Sequence, residues 1–228
     1  MYMIKRVSRV LIWLAILGCL LGAIAAMQNR ITAKKDASWY RESMAFLPQS
    51  DRIAPYLMGF QTTYSAFLWI KTTLYFGSEY MGPRQFSWLI AMIDMVTRLN
   101  PRFFPAYEFA ALFLPDYCKN PDAARTILDR GISNVDQRRW KLLFYRGWIE
   151  YRYQHDYLRA AEYLGRAARE KGVPPYIAGL AATFYQNAGM KNMGRIYLQS
   201  LYLSAEDPKV KRYVEKELKK FDTAGVAR

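Results

Sequence analysis

The chain has 228 residues, of which 52% are hydrophobic and 16% aromatic, so it can bury a core and is not a disordered segment. Its formal net charge of +14 raises nucleic acid and anionic lipid as partners. Residues 1–41 carry seven lysines and arginines against the single acidic residue Asp36. The composition therefore indicates a folded, mildly basic body with a strongly basic N-terminal region.

Residues 10–27, VLIWLAILGCLLGAIAAM, contain no charged side chain. At ~1.5 Å per residue this helix is about 27 Å long, close to the thickness of a hydrocarbon core. We predict an uncleaved transmembrane signal anchor, preceded by a basic flank at residues 1–9. Two alternatives remain, because residues 23–25 (AIA) resemble a signal-peptide cleavage site and residues 16–19 (ILGC) approximate a lipobox. The long apolar run, which continues past the lipobox, favours the anchor.

Basic side chains lie on both sides of the predicted anchor, where they are expected to contact anionic lipid head groups. They are Lys5, Arg6, Arg9, Arg30, Lys34 and Lys35. A short N-terminus with early positive charges usually stays in the cytoplasm, and a long following domain is translocated regardless of its own charge. The sequence therefore predicts a single-pass protein with its N-terminus in the cytoplasm and its domain outside.

After the anchor, residues 28–61 are predicted to form a membrane-proximal linker or helix. From Ile53 onward the apolar residues recur at helical spacing, without the alternation of a strand. Residues 64–80 form one predicted helix, and the next one is stopped by Asn100 and Pro101. The same succession of helix and break continues to the C-terminus, so the sequence predicts an all-α fold.

Similar residues recur at a nearly constant distance along the chain. Tyr151, Ala160, Leu164, Ala167 and Pro174 precede Tyr185, Gly194, Leu198, Leu201 and Pro208 by 34 residues. Ala124, Leu128 and Gly131 come 36 residues before Ala160, Leu164 and Ala167, and Gly77, Tyr80, Leu89, Ile93, Val96 and Pro101 show the same order earlier. The spacing indicates repeated helix pairs, which must stack to bury their apolar faces.

With these residues the chain resembles the tetratricopeptide repeat (TPR) family, whose unit has G-x2-Y on its first helix, A-x3-F-x2-A on its second and a final proline. The resemblance covers about residues 62–221 and implies an α-solenoid of about four helix pairs plus a C-terminal capping helix, followed by a flexible tail at 222–228. Residues 48–77 are also similar to the front section of bacterial membrane-anchored TPR proteins. The second unit departs from the pattern, because Pro115 is expected to shorten its first helix and leave Tyr117 in a loop.

The sequence offers little for catalysis. It has no P-loop, G-x-G-x-x-G, H-E-x-x-H or C-x-x-C motif. His155, the only histidine, is predicted to lie in a surface turn, and Asp156 to cap the helix that follows. A single histidine cannot supply a multi-histidine metal site. We therefore predict no catalytic residue, no metal site and no cofactor, and not an enzyme.

Residues 146–169 combine arginines with aromatic rings, a composition that suits single-stranded nucleic acid. The rings of Trp148, Tyr151, Tyr157 and Tyr163 fall mostly at positions that the repeat uses for packing. The arginines at 146, 152, 159, 166 and 169 are expected to spread around two helices rather than form one stripe. Nucleic acid is therefore not the favoured partner.

The resemblance also implies a binding surface. In this family the concave groove is lined by first-helix positions two before and one or two after the G-x2-Y tyrosine. Carried onto the fourth unit these positions are Thr183, Gln186 and Asn187, with Tyr176 at the helix start, and onto the third they are Ile149, Arg152 and Tyr153. Such a lining would hold an extended or helical peptide, preferably an acidic one.

Together these features predict a bacterial inner-membrane protein whose periplasmic TPR-like domain binds other proteins. Its expected role is that of a scaffold or adaptor in the assembly or stabilisation of an envelope complex. A permanent accessory subunit of a large inner-membrane complex is the first alternative. A nucleic-acid-binding protein is the second.

Overall fold

The computed structural model of the chain describes residues 13, 16–27, 53–82 and 84–223. It divides into two units, Met1–Leu47 and Pro48–Arg228. In the first unit residues 16–27 are helical, and each of their side chains is exposed. Among the described residues, no helix combines the length and the apolarity needed to cross a membrane. Part of the predicted anchor, most of the predicted linker and all six predicted head-group contacts (Lys5, Arg6, Arg9, Arg30, Lys34 and Lys35) lie outside the described residues.

The described part of the second unit is entirely helical, which confirms the predicted all-α class. It begins with a short 3-10 helix at Ala54–Leu57. The α-helices that follow are α1 (Gln61–Met81), α2 (Leu89–Leu99), α3 (Phe104–Tyr117), α4 (Pro121–Asn134), α5 (Arg139–Gln154), α6 (Tyr157–Ala167), α7 (Tyr176–Asn187), α8 (Lys191–Ser204) and α9 (Pro208–Thr223).

These helices pack mainly against their neighbours in the chain. Helix α1 packs on α2, α3 on α4, α5 on α6 and α7 on α8, while the second helix of each pair also contacts the first helix of the next. The last helix, α9, packs against both α7 and α8. The order of elements is therefore that of four helix pairs followed by a single terminal helix.

Small residues let the second helix of a pair approach its neighbours closely, as the repeat pattern predicts. Ala124, Ala160 and Ala167 are fully buried, and Leu128 and Leu164 fill the space beside them. Burial of a leucine side chain contributes about 2 kcal/mol relative to leaving it exposed. The stack of helix pairs thus supplies the hydrophobic core of the unit.

Helix α3 corrects one prediction. It continues through Pro115, which is buried, and includes Tyr117. Pro115 has no N–H to donate to the preceding turn, but the end of the helix is held by aromatic packing. The ring centroid of Tyr117 lies 5.5 Å from that of Phe76 and 5.3 Å from that of Phe86. Tertiary contacts therefore override the local cost of the proline.

The structure also contradicts the motif assignment on helix α1. The predicted motif residue Gly77 has no neighbour at the position of an added β-carbon, and Tyr80 is 46% exposed. The buried tyrosine of this helix is Tyr75, whose hydroxyl donates to the Gln85 carbonyl at 2.7 Å. Thr72, three residues earlier, is also buried. The G-x2-Y pattern at 77–80 is therefore not the packing face of α1.

Three tyrosines make the fold sensitive to high pH. Burial raises the pKa of Tyr107 from 10.0 to about 12. Burial, reinforced by hydrogen bonds to Glu108 and Asp116, raises the pKa of Tyr145 and of Tyr153 to about 12 as well. These phenols stay protonated in the folded protein at pH values where the unfolded chain ionises. Their contribution to stability is fully present below pH 10 and is lost as the pH rises to about 12.

We therefore expect the free energy of unfolding to fall between about pH 10 and about pH 12, as measured by urea titration at fixed ionic strength. Replacement of Tyr107 by Phe tests the cause. The variant lacks the hydrogen bond from the Tyr107 hydroxyl to the Pro101 carbonyl, so its free energy of unfolding at pH 8 should be lower by about 1 kcal/mol. Above pH 10, however, its free energy of unfolding should decline less steeply. An equally steep decline in the variant would show that Tyr107 does not contribute.

Candidate functional site

The groove residues predicted on α7 share one surface. Tyr176, Thr183, Gln186 and Asn187 are all exposed, and Tyr176 is 54% exposed. The last three are three or four residues apart, which places them on one side of the helix. Thr183 donates its hydroxyl to the Gly179 carbonyl at 2.9 Å within the same helix. The two side-chain amides therefore remain as the groups that can bind a partner's backbone.

The third and fourth helix pairs can be aligned by their closest contacts. A β-carbon on Gly147 of α5 would lie 3.0 Å from the Ala160 carbonyl oxygen of α6. A β-carbon on Gly194 of α8 would lie 3.1 Å from the Ala182 carbonyl oxygen of α7. In both pairs a small residue on each helix permits this approach. Gly147 therefore corresponds to Ala182, and Ala160 to Gly194.

This alignment shifts the predicted surface of α5 by one residue. The residue that corresponds to Tyr185 is Glu150 and not the tyrosine that follows it. Ile149, which was expected to face the groove, is 1% exposed and belongs to the core. The exposed residues at the corresponding positions are Trp148, which is 45% exposed, and Arg152. The repeat spacing does not identify Trp148, because it aligns Tyr151 with the motif tyrosine.

Tyr153, the other predicted groove residue of α5, is half-buried and joins two helices. Its hydroxyl donates to Asp116 Oδ1 on α3 at 2.6 Å. A second tyrosine, Tyr145, donates to Glu108 Oε1 on α3 at 2.9 Å. Tyr153 therefore holds α5 against α3, and its hydroxyl is already occupied.

The first helices of successive pairs contact one another through their side chains. The contacts are Phe76 to Phe113 (α1 and α3, 4.6 Å between ring centroids), Tyr153 to Asp116 (α3 and α5) and Tyr151 to Phe184 (α5 and α7, 5.0 Å). Gly179 of α7 likewise lies against Tyr213 of α9. Helices α1, α3, α5, α7 and α9 therefore each contact the next one of this series.

A buried ionic cluster lies behind the surface of α5. Arg146 and Glu150 are 5% and 1% exposed, and they form an ion pair. Arg146 Nε also donates to Asp129 Oδ1 at 2.9 Å, and Arg125 Nε lies 3.1 Å from Glu150 Oε1. Burial lowers the pKa of Arg146, but its hydrogen bonds to Glu150 and Asp129 outweigh that effect and raise it overall. Within the part of the chain that the structure describes, Glu150 Oε2 accepts no hydrogen bond.

Two details of the turn after α5 match expectation. His155 is exposed and ends the helix in a left-handed conformation, with φ 54°. Asp156 caps α6, because its Oδ1 accepts a hydrogen bond from the Arg159 N–H at 2.9 Å.

Within the described ranges, no three His, Cys, Asp or Glu side chains come close enough together to hold a metal ion.

The arginines of this region are less scattered than predicted. Arg146, Arg159 and Arg166 line one cavity of about 210 Å³ together with Tyr163. Arg166 and Arg169 line a second cavity of about 310 Å³. Their positions in the sequence did not reveal this, because Arg146 reaches the surface of α6 from the neighbouring helix α5.

The fold and these contacts define an all-helical protein built from successive helix pairs. No protein-family model matches the chain, and neither does any curated protein or any solved structure. Any functional conclusion therefore rests on the residues of the chain itself.

Proposed function

We propose that the protein is a membrane-anchored, TPR-like scaffold that binds other proteins and supports the assembly or stability of an envelope complex. In this proposal residues 62–221 form an α-solenoid, and the uncharged segment 10–27 anchors it in a bacterial inner membrane with the domain in the periplasm. The absence of charge over 10–27 and the basic residues on both sides of it support the anchor.

One observation carries the binding role, namely the contacts between the first helices of successive pairs. Stacked helix pairs with aligned first helices create an extended surface, which such proteins use to hold a polypeptide. The rings of Tyr151 and Phe184 are in contact, so that α5 and α7 lie side by side at this point. A partner segment that lies across both helices would meet Arg152 and Asn187.

The side chains of this surface suit a polypeptide ligand. Trp148 offers a large, half-exposed ring, and tryptophan and arginine are enriched where partners bind most strongly. Gln186 and Asn187 can each donate and accept hydrogen bonds with a peptide backbone. Arg152 adds a positive charge at the end of α5. These groups favour an extended or helical segment with acidic side chains.

We expect the double substitution Arg152→Glu and Asn187→Ala to release the partners of the full chain. The tagged protein is expressed in its native host and purified in mild detergent from membranes kept near neutral pH, and co-purified proteins are quantified by mass spectrometry. Partner recovery should fall by about tenfold, because a central charged contact contributes about 1.5–3 kcal/mol. Retention of the chain in a separate, carbonate-washed portion of the membranes tests the anchor.

The control is Lys216→Glu on the terminal helix, which reverses one charge at an exposed position outside this surface. It should leave partner recovery unchanged. Equal recovery with the double variant and with the control would contradict the assignment of the surface on α5 and α7.

The first alternative, a permanent accessory subunit, is favoured by the exposed face of α1. Phe67, Ile70 and Leu74 are 53%, 57% and 57% exposed, and Met81 is 90% exposed. Their spacing places them along one side of the helix, opposite the buried residues. A large apolar surface of this kind is typical of a stable interface. If Ile70→Glu releases the partners and the double variant on α5 and α7 does not, the accessory subunit is the better description.

A further inference from the structure

The surface of α6 carries a line of charged side chains that the proposed scaffold surface does not use. Arg159, Glu162, Arg166 and Arg169 are exposed and follow one another at three- and four-residue intervals, so they project from one side of the helix and its end. They line the two cavities of about 210 and 310 Å³, which share Glu162 and Arg166.

The ring of Tyr163 contacts two of the arginines that line the first cavity. Two guanidinium groups lie over this ring, with the Arg146 Cζ 4.6 Å and the Arg166 Cζ 5.5 Å from the ring centroid. Arg146 is fixed from behind by its bonds to Asp129 and Glu150. A guanidinium that stacks on a ring keeps its N–H edges available for a second ligand. Arg166 therefore presents its donors to the cavity in a restricted orientation.

The second cavity has a fixed wall. Tyr197 is 8% exposed and packs against Gly165, where a β-carbon would lie 3.2 Å from the ring. Arg169 lies over this ring at 6.0 Å from its centroid, and one of its terminal nitrogens (Nη2) donates to Ser200 Oγ at 3.4 Å. A β-carbon in place of Gly165 would crowd Tyr197. The glycine thus contributes to the shape of this cavity.

The balance of charge favours separate oxyanions over a continuous polyanion. Among the described residues, no carboxylate lies within 4.0 Å of the Arg166 or Arg169 guanidinium, and the contact found for Arg159 is a long one of 3.4 Å to Asp156. Glu162 lies between the two cavities and would repel a phosphate backbone that ran across them. The rings of Tyr185 and Tyr197 are 9% and 8% exposed, which leaves little ring surface for stacking of bases.

We propose that this surface of α6 binds an acidic polypeptide segment, with one carboxylate at Arg159 in the first cavity and the other at Arg166, which lines both cavities. Arg159 and Arg166 are seven residues apart, which corresponds to about 10 Å along a helix. In an extended peptide about 10 Å separates residues three positions apart. The matching ligand therefore has two Asp or Glu residues three positions apart, on either side of Glu162. This inference does not depend on the surface of α5 and α7.

The test uses the full chain in a non-ionic detergent and a fluorescein-labelled peptide of Gly and Ser with two Glu residues three positions apart. Fluorescence anisotropy should show salt-sensitive binding. The double variant Arg159→Gln and Arg166→Gln should bind about tenfold more weakly, which corresponds to about 1.4 kcal/mol, because it loses two ion pairs at exposed positions. The matched control, Arg102→Gln with Arg212→Gln, removes the same charge from exposed positions outside both cavities and should bind as the unaltered chain does.

Three outcomes would overturn the proposal. The first is equal loss of affinity in the two double variants, which would indicate non-specific attraction to a basic protein. The second is unchanged binding of a peptide with Gln in place of both Glu residues. The third is tighter binding of a single-stranded DNA oligonucleotide that the α6 variant alone loses, which would assign the surface to nucleic acid. Circular dichroism spectra of both variants confirm that the helices are intact.

Discussion

Replacement of Arg146 by Met is expected to destabilise the second unit by about 3 kcal/mol. The substitution keeps an unbranched, apolar side chain in the buried site but leaves the Glu150 carboxylate buried with Arg125 as its remaining partner. Removal of one member of a buried ion pair costs about 3–5 kcal/mol, because the other charge stays out of water. Urea unfolding followed by circular dichroism measures the change.

The Arg98–Asp94 pair is a matched control, since it has the same i, i+4 spacing on a helix. Its Arg98 side chain is 44% exposed, and Asp94 keeps a second arginine partner, Arg130, at 2.7 Å. Arg98→Met should therefore cost no more than about 1 kcal/mol.

A double-mutant cycle separates charge from packing. If the buried charge is the cause, the combination of Arg146→Met with Glu150→Gln should be more stable than Arg146→Met alone. A double variant that is less stable than the single one would show that lost packing dominates instead. If Arg98→Met lowered the free energy of unfolding as much as Arg146→Met does, the distinction between a buried and an exposed ion pair would be wrong.

The same pair shows why sequence could predict the helices better than the surfaces. Arg146 and Glu150 are an ordinary i, i+4 charge pair in sequence, a pattern that usually lies in solvent. Their burial follows from the one-residue register of α5, which is set by the contact of Gly147 with Ala160. Helical periodicity and the breaks between helices require only local information. The side of a helix that becomes buried, in contrast, depends on the neighbouring helix that packs against it.

The register has direct consequences for the candidate site. It moves Ile149 into the core and brings Trp148 to the surface. In the fourth pair the predicted positions Thr183, Gln186 and Asn187 are exposed, and their role in binding stays a prediction. In the first pair the G-x2-Y pattern lies on the exposed side of α1, so a motif match alone assigned the wrong face. A pattern that specifies only two residues of a helix cannot identify its buried side when two tyrosines, Tyr75 and Tyr80, lie five residues apart.

The arginine cavities could not have been predicted for a related reason. Arg146 and Tyr163 lie on two different helices, α5 and α6. Their side chains meet because these two helices pack closely. Arg159 and Arg166 are seven residues apart, which places them on one side of α6, whereas the five arginines together were expected to spread around two helices. What this spacing could not show is that a third arginine from α5 would complete the same cavity.

Replacement of Gly131 by Ala is expected to destabilise the second unit by about 2 kcal/mol, although alanine is the better helix former. An added β-carbon would lie 2.8 Å from Tyr107 Cδ1 and 3.0 Å from Leu142 Cδ1. Both neighbours are fully buried and cannot move aside without disturbing the core. Overpacking of this kind costs about 1–3 kcal/mol, which exceeds the gain of about 1 kcal/mol from helix propensity.

Gly77→Ala on α1 is the matched control. It is also a helical glycine, but its added β-carbon meets no atom within 4 Å. This substitution changes only the helix propensity and causes no overpacking. The free energy of unfolding of the variant should therefore be higher by about 0.5–1 kcal/mol. The two substitutions therefore have opposite signs in the same urea titration. If both stabilised the protein, α4 would not pack against Tyr107 as described. If both destabilised it, the exposed side of α1 would be covered, which would favour a permanent partner on that helix.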